Sequence, residues 1–563
     1  MTIIADGNLP LQRILHWEKA RAHNVYLTQP MGGGITRDYT WAQTVGEARR
    51  VAAWLKAEGA KRGWPEHACI GILSKNCAHW IMCDFAIWMA GYVSVPLYPT
   101  LTAQSVRQIL EHSEVKALFV GKLDDWPAMK SGVPEDVLCF SCALSPPNNF
   151  AKWEDIVEKT KPLDPVALRS GDELATIIYT SGTTGMPKGV MQKFFSMSWA
   201  VETLLSRYTT APEDRVLSYL PLSHVAERIG VEMATLRTGN RIFFAESLDT
   251  FARDLQRARP TFFMSVPRLW VKFQQGVFSK MPKKKLDRLL KLPVVSRVIK
   301  KKILQGLGLD QCRLAFGGAA PMPPALLDWY RSLGLGIIEV YGMTENFAVS
   351  HTNVAGRPRP CYVGVPYEGV ECRLAEDGEV QMKSPAVMLG YYKDPVRTRE
   401  TMTEDGWLRT GDKGELDAEG YLRITGRVKD LFKTSKGKYV APAPIEDKLV
   451  THPKVEACCV AGANHSQPFG IVMLSADALQ QAKDAASRES LSASLAEHLE
   501  KVNAQLDPHE QMEFLAVIGE QWTVDNGFIT PTFKVKRNAI EQHYEGKFDA
   551  WLGQKAPVVW ADA

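Results

Sequence analysis

The sequence has no apolar run long enough to cross a bilayer. Its most apolar stretch, residues 81–97, is interrupted by Asp84 and runs into Pro96, whereas a membrane-spanning helix needs about 20 apolar residues. Residues 1–6 also lack the basic region and the long apolar core of a secretory signal. Both absences favour a cytoplasmic protein.

A cysteine framework is missing as well. The ten cysteines are scattered, and the pair Cys139 and Cys142 has no second CxxC or histidine cluster beside it. A structural metal site or a disulfide scaffold would need such partners. We therefore expect reduced thiols, which agrees with a cytoplasmic location.

The net charge is small but unevenly placed. The chain carries +4, yet the segment from Lys280 to Lys302 holds ten basic residues against Asp287 alone, so it carries +9 and the remainder carries −5. Leucines and valines alternate with these charges. An anionic membrane surface attracts such a stretch, and a solvated helical face is the equally open alternative. Nucleic acid is a weaker third interpretation because the stretch has no aromatic residue for stacking.

The order of apolar runs predicts an α/β protein. With 563 residues the chain is longer than a usual single domain. Short β-rich runs alternate with longer amphipathic ones, which is typical of βαβ units and parallel sheets. The predicted elements are strands at 68–73, 93–97, 117–120, 216–220, 241–244, 261–265, 314–316 and 336–340, with helices at 77–91 and 103–112.

The composition of the sequence changes after about Cys361, where glycine-containing turns become frequent, as at Asp377-Gly378 and Asp405-Gly406. Short strands between such turns predict an antiparallel β subdomain. Mixed α/β character returns beyond Arg427. We therefore predict a large N-terminal domain at residues 1–428 and a small α+β C-terminal domain at residues 429–563.

The most informative segment is the run Tyr179-Thr-Ser-Gly-Thr-Thr-Gly-Met-Pro-Lys-Gly189, which follows a predicted buried strand. Its glycines let backbone N–H groups approach an anion, its hydroxyls add donors, and its lysine adds a point charge for phosphate. It is not a Walker A loop, because Lys188 is followed by Gly189. The phosphate-binding candidates here are Thr180, Ser181, Gly182, Thr183, Thr184, Gly185 and Lys188.

This run resembles the phosphate loop of the AMP-forming adenylating enzymes, which include acyl-CoA synthetases, luciferases and nonribosomal adenylation domains. Further segments match that superfamily in the order it uses. Residues 220–228 place His224 where relatives have a gate of the carboxylate-substrate channel. Residues 316–321 offer Gly317, Gly318 and Ala319 as a small-residue turn against which adenine and an acyl group could lie.

The run from Tyr341 to Glu345 is the next match. A carboxylate that follows a strand end near phosphates can hold Mg²⁺, so Glu345 is the metal candidate and a catalytic one. The resemblance also implies that Tyr341 stacks on adenine and that Thr344 donates to the α-phosphate. Gly342 and Met343 complete the nucleotide-binding turn.

The last matches lie nearer the C-terminus. The resemblance implies that Asp412 binds both ribose hydroxyls, that Arg427 contacts phosphate or ribose oxygens, and that Lys429 is a hinge. In the run 530–537 it selects Lys534 as the catalytic lysine, with Arg537 three residues on. Lys536 is the alternative lysine.

Within the superfamily, the runs at 220–228, 263–270 and 530–537 look like those of long-chain fatty acid–CoA ligases. The resemblance implies ATP, Mg²⁺ and coenzyme A, a fatty acid bound along a channel that includes Phe263, and a mobile C-terminal domain that closes for adenylation. Contact with the inner face of a membrane through residues 280–302 and assembly as a homodimer are further expectations. An acyl-AMP ligase serving a carrier protein, an aryl- or short-chain-acid ligase, and a non-catalytic nucleotide-binding regulator stay as alternatives.

Overall fold

The computed structural model describes residues 6–180, 186–354, 358–530 and 534–561. These residues form two compact units. The first comprises the chain up to Cys372 together with Met382–Leu408, and the second comprises Arg373–Gln381 together with Arg409–Ala563. The domain boundary at residue 428 stays a prediction.

The strands are short and most are buried. In chain order the first sixteen are β1 (Val25–Gly32), β2 (Ile35–Thr40), β3 (Cys69–Leu73), β4 (Val93–Leu97), β5 (Ala117–Val120), β6 (Leu138–Ser141), β7 (Ala151–Lys152), β8 (Leu174–Thr180), β9 (Lys188–Lys193), β10 (Arg215–Ser218), β11 (Arg241–Phe244), β12 (Phe262–Ser265), β13 (Leu314–Gly317), β14 (Ile337–Tyr341), β15 (His351–Thr352) and β16 (Val365–Pro366). They are followed by β17 (Glu371–Leu374), β18 (Glu379–Lys383), β19 (Gly390–Tyr391), β20 (Leu408–Leu416), β21 (Leu422–Arg427), β22 (Phe432–Lys433), β23 (Tyr439–Val440), β24 (Val455–Ala461), β25 (Phe469–Leu474), β26 (Leu515–Ile518) and β27 (Val558–Trp560).

Helices connect most of the parallel strands. They are α1 (Pro10–Ala20), α2 (Trp41–Arg62), α3 (Ala78–Met89), α4 (Ala103–Ser113), α5 (Trp126–Met129), α6 (Trp153–Lys159), α7 (Phe194–Leu205), α8 (Val225–Glu227), α9 (Ala234–Thr238), α10 (Phe251–Ala258), α11 (Pro267–Lys280), α12 (Lys283–Leu290), α13 (Pro293–Gly306), α14 (Pro324–Leu333), α15 (Pro395–Thr401), α16 (Pro442–Leu449), α17 (Ala476–Gln481), α18 (Ala485–Asn503), α19 (Arg537–Tyr544) and α20 (Phe548–Gly553).

The first unit is built on two large sheets. One has the order β16-β15-β14-β13-β12-β10-β11-β1-β2, and the other has the order β19-β9-β8-β4-β3-β5-β6-β7. From β14 to β1 the first sheet is parallel, and so is the second from β8 to β7. The predicted α/β class with parallel-rich sheets is confirmed.

The apolar stretch that is too short to cross a membrane forms the centre of the first unit. All twelve residues of α3 are buried, and β4 follows at once. Asp84, within α3, pairs with the wholly buried Arg228, which also donates to Glu232 (Nε to Oε2, 3.0 Å) and to Thr176. Because a buried charge is costly unless it is paired, this arrangement explains how an acid is accommodated in a core helix.

The second unit contains the antiparallel pair β20 and β21, at one edge of a sheet with the order β17-β18-β20-β21. A second sheet has the order β24-β25-β26-β27, in which β24 is antiparallel to β25 and the other pairs are parallel. Helices α16 and α18 pack on one hydrophobic cluster of that sheet, and α19 and α20 pack on another. The second unit is therefore α+β, as predicted for the C-terminal part.

Among the helices of the described residues, none has the length and apolar character needed to cross a membrane.

Candidate active site

The candidate residues of the first unit cluster at the carboxyl edge of one parallel sheet. Strands β12, β13 and β14 are neighbours in register, with Ser265 opposite Gly317 and Gly317 opposite Glu339. Phe263 lies within β12, Gly317 ends β13 and Tyr341 ends β14. Ligands of open α/β sheets bind outside the carboxyl ends of the strands, so the topology brings these motifs to the expected edge.

The turn after β13 needs small residues. A Cβ at Gly317 would lie 2.3 Å from Sδ of Met322, and one at Gly318 would lie 3.1 Å from Cγ2 of Val340. Ala319 adopts a left-handed conformation, with φ of 70°. A side chain at Gly317 or Gly318 would have to displace Met322 or Val340, so small residues suit this turn and its backbone offers a surface for a flat ligand.

The turn after β14 is equally constrained. A Cβ at Gly342 would lie 2.3 Å from the carbonyl carbon of Ala348, because the chain folds back on itself there. The N–H of Met343 donates to Oδ1 of Asn346 at 2.9 Å, and Nε2 of Gln192 donates to the carbonyl oxygen of Thr344 at 3.0 Å. These contacts hold the two backbone units that precede Glu345.

Tyr391 joins the two principal motifs. Its hydroxyl donates to Oε1 of Glu345 at 2.7 Å, and Nζ of Lys188 lies 5.4 Å from the centre of its ring. Tyr391 pairs with Val190 in β9, two residues beyond Lys188. Burial and the Glu345 carboxylate both raise the pKa of the Tyr391 phenol, so the phenol stays protonated and donates.

The phosphate loop connects two strands of the second sheet. Strands β8 and β9 are antiparallel, with Thr180 opposite Lys188 at the loop end of the hairpin. The candidates Ser181, Gly182, Thr183, Thr184 and Gly185 lie outside the described residues. Thr180 and Lys188 therefore define where the loop leaves and re-enters the sheet.

A buried hydrogen-bond network holds the segment that carries His224. Oε1 of Glu227 accepts from the Ser218 hydroxyl at 2.8 Å and from the Tyr219 N–H at 2.9 Å. Nδ2 of Asn76 donates to the same hydroxyl at 2.8 Å, and Oδ1 of Asn76 accepts from the Leu222 N–H at 3.0 Å. Burial raises the pKa of Glu227 to about 8, so this carboxyl is mostly protonated at neutral pH.

His224 begins the short helix α8, where its Nδ1 accepts from the Ala226 N–H at 3.2 Å. Phe263 is 2% exposed, stacks on Tyr219 and meets Trp270 edge to face. Phe263 is therefore a core position at this edge of the sheet. The channel roles of His224, Gly317 and Phe263 stay predictions.

In the second unit, Asp412 and Arg427 face each other. They are directly opposite in β20 and β21, and Nε of Arg427 lies 3.1 Å from Oδ1 of Asp412. The Asp412 side chain is 10% exposed and that of Arg427 is 54% exposed. Lys429, the hinge candidate, is exposed two residues beyond β21.

Lys534 and Thr530 are hydrogen-bonded to each other. The Thr530 N–H donates to the Lys534 carbonyl oxygen at 2.8 Å, and the Lys534 N–H donates to the Thr530 hydroxyl at 3.1 Å. Arg537 instead points into the second unit, where it donates to Oε1 of Glu446 and to the Val460 carbonyl oxygen, each at 2.6 Å. Arg537 thus anchors α19, while the Lys534 side chain is exposed.

Sequence reasoning missed three polar residues that organise the first unit's site: Tyr391, Gln192 and Asn76. Each lies far along the chain from the residue it supports, and none belongs to a run of unusual composition. The only signal in the sequence was Gly390-Tyr391-Tyr392, an aromatic pair within the turn-rich segment.

The donor set suits Mg²⁺ bound together with a substrate. Over the ranges that the structure describes, no group of three or more His, Cys, Asp or Glu side chains could hold a metal by itself. Mg²⁺ commonly uses one or two carboxylates and completes its shell with phosphate oxygens and water. Glu345, with one oxygen held by Tyr391, fits that mode.

Comparison with known proteins defines the class. Residues 16–392 match the family model described as AMP-binding enzyme, and residues 429–554 match the one described as AMP-binding enzyme C-terminal domain. The chain therefore belongs to the AMP-binding enzyme family, and the resemblance stated from its motifs is confirmed.

Particular relatives are named for long-chain acids. The chain is 30% identical to long-chain-fatty-acid–CoA ligase FadD15 of Mycobacterium bovis, over 92% of each chain. It is 29% identical to the peroxisomal long chain acyl-CoA synthetase 6 of Arabidopsis thaliana, over 91% of this chain and 81% of that one.

Solved structures share the fold at lower identity. The adenylation domain of carboxylic acid reductase from Segniliparus rugosus, in complex with AMP and a carboxylic acid, has a TM-score of 0.81 at 22% identity and covers 98% of this chain and 95% of its own. The anthranilate CoA ligase AuaEII, in complex with anthranoyl-AMP, has a TM-score of 0.77 at 22% identity and covers 97% of this chain and 100% of its own.

Proposed function

We propose that this chain is an ATP-dependent acyl-CoA ligase that activates a long-chain fatty acid. The substrate carboxylate attacks the α-phosphorus of ATP, giving acyl-AMP and releasing pyrophosphate. The thiolate of coenzyme A then attacks the acyl carbonyl and AMP leaves. The observation that carries the proposal is the meeting of Lys188 and Glu345, from two separate motifs, at Tyr391.

That meeting supplies opposite charges where a nucleotide triphosphate needs them. Lys188 is a cation for phosphate oxygens. Glu345 would hold Mg²⁺, which when bound neutralises phosphate charge. Thr344, whose carbonyl oxygen accepts from Gln192, would donate its hydroxyl to the α-phosphate. Since phosphoryl and adenylyl transfer depend mostly on positioning and charge neutralisation, these residues supply what the first half-reaction requires.

The second unit contributes further proposed roles. Asp412 would bind the ribose hydroxyls and Arg427 would bind ribose or phosphate oxygens. Lys534 would neutralise charge that develops during adenylation, and Lys429 would act as a hinge. Lys534 is exposed, whereas Arg537 is anchored to Glu446.

The proposed preference for long acyl chains is supported by relatives named as long-chain ligases and by the runs at 220–228 and 263–270. Two other enzymes remain as candidates: an acyl-AMP ligase that serves a carrier protein, and a ligase of aryl or short-chain acids. The dependence of the reaction on coenzyme A and on the acid supplied distinguishes these two enzymes from a long-chain ligase.

The decisive experiment measures AMP and pyrophosphate release from ATP with fatty acids of graded length, with and without coenzyme A. Stimulation by coenzyme A that is strongest with long acids is the expected result. Pyrophosphate release that ignores coenzyme A would establish an acyl-AMP ligase. No pyrophosphate release with any fatty acid, together with turnover of benzoate-like or short acids, would establish a ligase of aryl or short-chain acids.

Two properties of the assembled enzyme belong to the same proposal. We propose peripheral contact with an anionic membrane through residues 280–302, for a protein of the cytoplasmic compartment. We also propose a homodimer, which light scattering of the purified chain would test by giving twice the mass of 62.7 kDa.

A further inference from the structure

Most of the basic stretch folds into two consecutive helices, α12 and α13, which are separated by Lys291 and Leu292. Helix α12 places Leu286 in a hydrophobic cluster, and α13 buries Ser296 and packs Ile299 and Ile303 on the same cluster. These three residues of α13 recur at spacings of three and four, so they occupy one face. The opposite face of α13 is left toward solvent.

That outward face carries apolar side chains that nothing in the first unit covers. Val294 is 80% exposed and Val298 is 50% exposed, and they lie four residues apart on one side of the helix. Leu292 and Val295 are also exposed. Four large exposed apolar residues within seven positions form the densest such group among the described residues.

Basic side chains surround this group. Lys291 precedes it, Arg297 lies between its members, and Lys301 and Lys302 follow one turn on; all four are exposed. Beside them is a groove of about 360 Å³ lined by Arg297, Lys300 and Lys301. The acid in that groove, Asp310, is bonded to Arg259 at 2.5 Å, and this hydrogen bond holds the pKa of Asp310 below its usual range.

We infer that the outward face of α13 is a bilayer-docking surface in which Val294 and Val298 enter the interface of an anionic membrane while Arg297, Lys300 and Lys301 bind lipid phosphates. Exposed apolar patches rimmed by polar residues mark interaction sites. An anionic membrane interface binds inserted apolar side chains and basic side chains favourably at the same time. This inference deepens the membrane contact proposed above and does not depend on which acid is activated.

The charge distribution determines which face meets the lipid. Residues 280–302 carry +9, whereas the rest of the chain carries −5. An anionic surface therefore attracts this segment and repels the remainder. The absence of aromatic residues between 280 and 302 disfavours single-stranded nucleic acid, which is bound through stacking.

The test is sedimentation of the full chain with vesicles of phosphatidylcholine alone or mixed with phosphatidylglycerol. Binding is expected only with the anionic mixture, and Lys300→Glu with Lys301→Glu and Lys302→Glu should weaken it by more than about tenfold. Val294→Ser with Val298→Ser leaves the charge unchanged and should weaken binding by about tenfold.

Matched controls separate this face from general effects. Reversing three exposed lysines elsewhere, Lys130, Lys152 and Lys159, makes the same charge change, and Leu248→Ser with Val396→Ser removes two other exposed apolar side chains. Both controls should bind vesicles nearly as the unchanged chain does. Equal weakening by the control set would overturn the inference.

Three other results would also overturn it: equal binding to both kinds of vesicle, full binding by the valine variant, and tighter binding to single-stranded RNA than to anionic vesicles. Pyrophosphate release with a soluble acid, measured on the same variants, reports the ligase proposal separately and should be unchanged. Loss of both by one variant would show a disturbed fold in that variant, and vesicle binding by the other variant would then decide the inference.

Discussion

Replacing Tyr391 by phenylalanine tests the link on which the proposed site depends. The substitution removes the hydroxyl that donates to Oε1 of Glu345 at 2.7 Å and keeps the ring beside Lys188. Hydrogen bonds to charged groups contribute about 1.5–3 kcal/mol. Glu345 is half-buried, so water can replace part of the lost bond, and the lower value, about 1.5 kcal/mol, is the appropriate expectation.

The assay is ATP–pyrophosphate exchange at saturating acid, titrated with Mg²⁺. If Tyr391 positions Glu345 for the metal, Tyr391→Phe should raise the Mg²⁺ concentration for half-maximal exchange by about tenfold, since each 1.4 kcal/mol is a factor of ten. The maximal rate at high Mg²⁺ should recover in large part, because the variant removes none of the groups assigned to substrate.

The neighbouring Tyr392 provides the control. Tyr392→Phe removes a hydroxyl one residue away, from a ring that packs against His112, and should leave the Mg²⁺ titration unchanged. An unchanged half-maximal Mg²⁺ concentration in Tyr391→Phe, with thermal stability equal to that of the unchanged chain, would refute the positioning role. A fall in maximal rate that Mg²⁺ cannot rescue would also refute it.

Three further predictions concern single residues. Lys534→Ala should suppress acyl-AMP formation strongly and spare thioester formation from supplied acyl-AMP, measured as separate half-reactions; equal loss in both would exclude the assigned role. Glu227→Gln should remove one pH dependence of the unfolding free energy. Burial raises the pKa of Glu227 in the folded chain to about 8 from 4.5. The stabilisation from this group is therefore present below pH 4.5 and is lost as the pH rises through about 8, by up to about 1.4 kcal/mol per pH unit. The melting-temperature difference between unchanged chain and variant should therefore move in favour of the variant between pH 5 and 8, and a constant difference would contradict this. Gly342→Ala places a Cβ 2.3 Å from the Ala348 carbonyl carbon and should cost about 1–3 kcal/mol of unfolding free energy with loss of adenylation, whereas unchanged melting would contradict it.

The sheets could be predicted from the sequence because local patterns specify them. The runs predicted at 68–73, 93–97 and 117–120 became β3, β4 and β5 with bounds changed by one residue at most. Buried parallel strands are continuous apolar runs bounded by turns, and this signal is local. The strand before the phosphate loop was predicted, whereas its antiparallel pairing with β9 was not.

The connections within the site could not be predicted in the same way. Tyr391 reaches Glu345 across 46 positions of the chain, and Gln192 reaches Thr344 across 152. No periodicity or spacing encodes such pairs, because the folding of intervening segments brings them together. The motifs therefore identified Lys188 and Glu345 individually, while the tyrosine that both contact emerged only from the packing of β19 against β9.

The buried group formed by Arg228, Asp84 and Glu232 has a consequence for how this chain can evolve. Removing one member of a buried ion pair typically costs about 3–5 kcal/mol, whereas replacing the whole set by apolar residues is often neutral. A single substitution at any of these positions is thus strongly destabilising, although replacing all three together can leave the stability unchanged. Lineages descended from this sequence should keep all three residues or exchange them together, so that the positions covary even though Asp84 and Arg228 stand 144 residues apart.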